Sequence, residues 1–227
     1  MNLPKVRIIE LYGLPGCGKS TLSKYLLSFL QKRYPNNVIK RADISGVINR
    51  WWNHPLFLFF YLFLQILKPN NFRFKISLLS YAVSFPLNRY SIIYLLYTMI
   101  VVDLYSKNAT KIIVLDEGII QFLSAIPHDV LIDNSDMIDN ISRQLYKMPI
   151  EVLYVECHIE KMVNLQRIKQ RNRPDRFAFN DGLEELLTKK EANLALIASF
   201  VAKNKITIDM LKMCEYNTTE IINKLFE

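Results

Sequence analysis

Hydrophobic positions fall into short blocks along the chain, and the spacing within each block indicates what it forms. Val6–Leu11 is an apolar run rich in β-branched residues, which predicts a buried strand. A glycine- and proline-bearing turn, Gly13–Gly18, follows at once. Beyond it Leu22, Tyr25, Leu26, Phe29 and Leu30 recur at helical spacing. Val38–Ala42, Ile112–Leu115, Val152–Val155 and Ile206–Ile208 read as further buried strands. Helix-length sequence separates each from the next. Such alternation predicts an α/β fold, a parallel sheet with helices on both faces. No repeat, Ser/Gly linker or long charge block interrupts it, so one domain over residues 1–227 is expected.

Two stretches are greasier than the rest. Leu56–Leu67 (LFLFFYLFLQIL) lies between Pro55 and Lys68-Pro69, with Trp51 and Trp52 just before it. As a helix it would be about 18 Å long, short of the roughly 30 Å of a bilayer core. A buried or subunit-interface helix is the simpler reading, and a site for an apolar substrate or membrane surface is the sharper one. Ile92–Val102 reads as a central core helix.

Composition narrows the class. Hydrophobic residues make up 51% of 227 and charged residues 22%, which excludes extended disorder. With 6 Gly and 9 Pro, collagen-like and low-complexity classes are excluded too. The net charge of +8 favours polyanionic partners without choosing among them. Cys17, Cys157 and Cys214 have no paired spacing, so neither a disulfide framework nor a zinc cluster is expected. No signal-peptide pattern opens the chain, and a reducing cytoplasm is the expected location. His54, His128 and His158 lie in unrelated contexts and predict no metal site. Asp129, Asp133, Asp136 and Asp139 read as a solvated loop or helix face.

The turn after the first strand carries chemistry. Gly13-Leu14-Pro15-Gly16-Cys17-Gly18-Lys19-Ser20 satisfies G-x-x-x-x-G-K-[ST], between an apolar strand and an amphipathic helix. Its glycines let backbone N–H groups approach phosphate oxygens, and the helix dipole points at the same anion. Lys19 supplies a cation for the β- and γ-phosphates, and Ser20 a hydroxyl for Mg²⁺. Cys17 fills a free position in the loop and is assigned no chemistry, although an alkyl group there would stand in the way of nucleotide entry. Ile112–Leu115 runs into Asp116, Glu117 and Gly118. An acid at the carboxyl end of a parallel strand faces the ligand crevice, which makes Asp116 the second Mg²⁺ candidate. Further on, Arg167, Arg171, Arg173 and Arg176 fall within ten positions. Arg167 and Arg171 share a helix face, and Pro174 then starts a loop. A helix delivering arginines into a loop suits a lid over a transferring phosphoryl group.

Together these segments resemble the thymidylate kinase branch of the nucleoside-monophosphate kinase family, over nearly the whole chain. IIVLDEG is similar to the family strand that ends in Asp-Arg-Tyr. YVECHIEKMVNLQRIKQRNRPDRF resembles its strand, helix and lid, with Arg167, Arg171, Asp175 and Arg176 in the R-x-x-x-R-x-x-x-D-R pattern. ITIDM and NTTEIINKLF resemble the closing strand and last helix. The resemblance implies a P-loop three-layer sandwich with a five-stranded parallel sheet. It also implies an acceptor region at 40–110, a lid at 167–182, ATP with Mg²⁺ as donor, and a homodimer packed through core helices. It places Gly13, Pro15, Gly16, Cys17, Gly18, Lys19, Ser20, Thr21 and Arg167 around ATP. Lys19, Asp116, Arg171 and Arg176 become the catalytic set, with Ser20 and Asp116 on the metal.

The acceptor side departs from the family. Glu117 stands where the family has a phosphate-clamping Arg, and Ile92–Val102 lacks the central Arg, with Arg89 lying slightly earlier. Arg41-Ala42-Asp43 replaces an Arg-Glu-Pro-like turn. Asp43, Arg89, Glu117 and Gln121 are the acceptor candidates. A hydroxyl acceptor needs a base, which Asp43 or Glu117 would supply, whereas a phosphate acceptor needs cations. The expected activity is transfer from Mg-ATP to a nucleoside monophosphate. The alternatives are a nucleoside or apolar alcohol acceptor, and a nucleotide-dependent switch or assembly ATPase. No N-K-x-D motif supports a guanine switch, and nucleic-acid binding rests on charge alone.

Overall fold

In a computed structural model the described residues are 8–39, 63, 64, 67, 73, 75, 76, 79, 99, 111–116, 118–124, 128–133, 135–147, 151–170 and 182–226. The strands are β1 (Ile8–Tyr12), β2 (Val38–Ile39), β3 (Ile112–Leu115), β4 (Val152–His158) and β5 (Lys205–Asp209). The described helices are α1 (Lys19–Arg33), α2 (Ile119–Leu123), α3 (His128–Asp133), α4 (Ser135–Tyr146), α5 (Lys161–Gln170), α6 (Leu183–Val201) and α7 (Cys214–Phe226).

The strands form a 5-stranded sheet in the order β2-β3-β1-β4-β5. Every ladder is parallel, with Ile9 opposite Val114 on one side and Leu153 on the other. The first strand in sequence is therefore central, and the turn after it opens at the carboxyl edge of the sheet. β4 and β5 run further than their apolar cores, because the polar residues find partners along the ladder. The Glu156 carboxylate accepts from Lys205 Nζ at 2.7 Å and from Thr207 Oγ1 at 2.9 Å. Residues 6 and 7 of the first expected strand, and 40–42 of the second, lie outside the described residues.

Alternation along the strands separates two cores. Ile9, Leu11, Val114, Leu153, Val155 and Ile208 face α1 and α7, where Leu22, Leu26, Leu30, Ile221 and Leu225 are fully or almost fully buried. Each such leucine contributes about 1.5–3 kcal/mol of burial. Tyr25 and Phe29, which share the helical spacing, are exposed on the outer flank of α1. That helix stops where Tyr34 meets Pro35, since the residue before proline is pushed out of the helical region. On the other face of the sheet Glu10 meets α2, and α6 packs against α2, α3 and α4.

The greasy stretches are described at four positions. Met99 is helical and buried, as a core helix requires. Phe63, Leu64 and Leu67 are helical but 57%, 40% and 57% exposed, so burial within the chain fails at these three. No helix among the described residues is long and apolar enough to cross a membrane. The acidic stretch lies on helices rather than a loop. Asp133 and Asp136 are exposed on α3 and α4, and Asp139 pairs with Arg143 one turn on at 2.6 Å. Leu131, Ile138 and Ile141 anchor the opposite side of these helices.

Candidate functional site

The turn between β1 and α1 has the conformation its glycines imply. Gly13, Gly16 and Gly18 all have positive φ, at 149°, 89° and 108°. Gly13 is doubly constrained, since a Cβ there would lie 2.6 Å from the Cys157 carbonyl oxygen. Gly18 starts α1, with its carbonyl accepting from Thr21 and Leu22 N–H at 2.9 and 3.1 Å. Pro15 is half-buried, and Ser20 and Thr21 are exposed on the first turn.

Lys19 is folded back on the loop. Its ammonium donates to the Gly13 and Leu14 carbonyls at 2.8 and 2.9 Å and lies 3.7 Å from Cys17 Sγ. The cation is thus held over the concave side of the loop by weak neutral acceptors, which an anion can displace. Arg167, near the end of α5, donates to the Cys17 carbonyl at 3.4 Å. Asn164 and Ile168 of the same helix crowd Gly16, within 2.8 Å of a Cβ placed there.

Ser20 and Asp116 meet although they lie on different elements. The Ser20 hydroxyl donates to Asp116 Oδ2 at 2.9 Å, joining the start of α1 to the end of β3. Two oxygen donors converging beside a phosphate-type loop fit Mg²⁺, which takes oxygen ligands and fills its shell with water and substrate phosphates. No cluster of three or more His, Cys, Asp or Glu suited to a metal occurs among the described residues. His128 instead pairs with Asn193 through Nδ1 at 2.6 Å.

Cys17 corrects one expectation. Its side chain is fully buried, turned into the core beside Cys157, so alkylation cannot reach it in the folded loop. Hydrogen bonding to the Cys157 thiol and the nearby Lys19 ammonium lower the Cys17 pKa, and the same pairing and burial raise that of Cys157. All three cysteines are free thiols.

On the acceptor side, Gln121 is buried in α2 with its Oε1 unpaired. Asp43, Arg89, Glu117, Arg171 and Arg176 lie outside the described residues. One group escaped the sequence reading. Glu10, in the centre of β1, is fully buried, and its Oε1 accepts from Ile120 N–H at 2.7 Å. Burial pushes its pKa up to about 7, against backbone N–H groups of α2 that pull it down. The available signal was a single carboxylate inside an otherwise apolar strand core.

No protein-family model matches the sequence, and no curated protein matches it. Among solved structures, the chain is similar to deoxyadenosine kinase from M. mycoides with products dCMP and a flexible dCDP bound. That match has a TM-score of 0.47 and 15% identity, and covers 96% of this chain and 98% of that one. The dCTP-bound form of the same enzyme gives a TM-score of 0.48 and 15% identity, covering 96% of this chain and 98% of that one. The dATP-bound form gives 0.47 and 15%, covering 97% and 100%.

Proposed function

We propose that this chain is an ATP-dependent phosphotransferase that passes the γ-phosphoryl group of Mg-ATP to a small acceptor. The observation that carries it is the 2.9 Å contact between Asp116 and Ser20, the residue that follows Lys19. Strand, phosphate loop, helix and acidic strand end thereby become one site. The loop N–H groups would hold the β-phosphate, and Lys19 would leave the Gly13 and Leu14 carbonyls for the β- and γ-phosphate oxygens. Ser20 and Asp116 would hold Mg²⁺, which supplies charge neutralisation to the transferring group when bound. Arg167 already lies against the loop, where it can steady the bound nucleotide. Arg171 and Arg176 follow it in sequence and are proposed to reach the transferring phosphoryl oxygens.

A nucleoside monophosphate is the first acceptor proposed, in line with the lid arginines. Glu117 favours a second reading. A carboxylate next to Asp116, where a cation would clamp an acceptor phosphate, repels that phosphate but can take a proton from a hydroxyl. The test is transfer of labelled γ-phosphoryl from Mg-ATP to monophosphates, free nucleosides and prenyl or sugar alcohols, with Lys19→Ala as blank. Transfer to one acceptor, absent in the variant, is expected. Acceptor-independent hydrolysis alone would replace the transferase reading with a switch ATPase.

A further inference from the structure

We propose that Glu10 is a positioning residue for Asp116: it grips the backbone that follows Asp116 and so sets where that carboxylate meets Ser20. The inference rests on the magnesium-nucleotide reading of the site. β1 and β3 are neighbours, with Glu10 in register with Leu115, the residue before Asp116. From there the Glu10 side chain reaches the segment just past Asp116. Its Oε1 accepts from Ile120 N–H at 2.7 Å.

The fit at Gly118 makes this contact specific. A Cβ on Gly118 would lie 2.3 Å from Glu10 Cδ and 2.5 Å from Oε2. Gly118 has φ −130° and ψ −149°, outside the left-handed region that favours glycine. The Glu10 carboxyl packed against it leaves no room for a side chain. Glu10 and Gly118 are therefore two halves of one contact, formed between residues far apart in sequence in a buried site. The second carboxyl oxygen, Oε2, is buried without a partner. Burying an incompletely paired carboxyl is costly, and an apolar side chain would fill the same space without that cost. The carboxyl oxygen provides what an apolar side chain lacks, an acceptor that ties the Gly118–Ile120 backbone to the central strand. Asp116, at the other end of that short segment, meets Ser20 at 2.9 Å. Supports of this kind behind a ligating group are worth about 10–100-fold in metal affinity.

Two measurements test this together. The first is a double-mutant cycle in thermal unfolding with Glu10→Ala and Gly118→Ala. Gly118→Ala is expected to destabilise the wild-type background and to be nearly silent once Glu10→Ala has made room; additive effects would overturn the contact. The second is ATP affinity measured in excess Mg²⁺ and in EDTA. Gly118→Ala and Glu10→Leu are expected to reduce the Mg²⁺-dependent gain about tenfold while leaving EDTA affinity unchanged. Glu10→Gln, which keeps the accepting oxygen, is expected to retain the gain. Equal losses with and without Mg²⁺ would make Glu10 merely structural, and an unchanged gain in Glu10→Leu would remove the positioning role. If the wild type itself shows no Mg²⁺-dependent gain, the nucleotide-site reading fails first. Should Glu10→Ala not fold, Gly118→Ala, Glu10→Leu and Glu10→Gln still decide the second measurement.

Discussion

Glu10 links the central strand to the pH of the solution. Its carboxyl is pushed up to about 7 by burial, from 4.5. The folded chain therefore holds a proton that the unfolded chain releases between those values. The resulting stabilisation is complete below about pH 4.5, falls as pH rises, and is exhausted above about pH 7, a span of about 3 kcal/mol. Glu10→Gln should flatten this part of the stability profile; denaturant midpoints that fall in parallel for both proteins would contradict it. Gly13 makes a second prediction at the same scale. Its φ of 149°, with the Cys157 carbonyl oxygen 2.6 Å from where a Cβ would sit, leaves no room for alanine. Gly13→Ala should cost at least about 1–3 kcal/mol and abolish ATP binding, read by unfolding and by titration.

At the scale of elements, α1 does two things, presenting Ser20 at its first turn and burying Leu22, Leu26 and Leu30 against the sheet. Leu26→Ala should destabilise by about 2–5 kcal/mol, with ATP affinity of the folded fraction unchanged. A large affinity loss without destabilisation would show that α1 is not held by that packing. The strand–loop–helix unit was legible because its signals are local: β-branched residues, glycines at fixed offsets and leucines at helical spacing. Asp116 was legible because an apolar strand ends in it. Glu10 was not, since a lone carboxylate in an apolar strand does not reveal its partner, and Ile120 is 110 residues away. The inward turn of Cys17 was equally hidden, because it depends on Cys157 arriving from another strand. Exposure of Phe63, Leu64 and Leu67 escaped the hydrophobic pattern, which records greasiness without saying what covers it.

For the whole molecule, the sheet order places β1 centrally, so the phosphate loop, the Asp116 strand end and α5 converge at one edge. On the proposed reading, ATP at that edge would bridge α1, β3 and the loop and stabilise all of them at once. ATP with Mg²⁺ at about 100 times its Kd should add about 2.7 kcal/mol and raise Tm by about 5–10 °C. An unchanged Tm at saturating nucleotide would contradict a site built across these elements. The most direct test is calorimetric titration of ATP with Mg²⁺ into the wild type and Lys19→Ala. One nucleotide should bind per wild-type chain, with affinity at least about tenfold weaker in the variant, since a charge-assisted phosphate contact is lost. Equal affinities in the two proteins, or no binding by the wild type, would contradict the account.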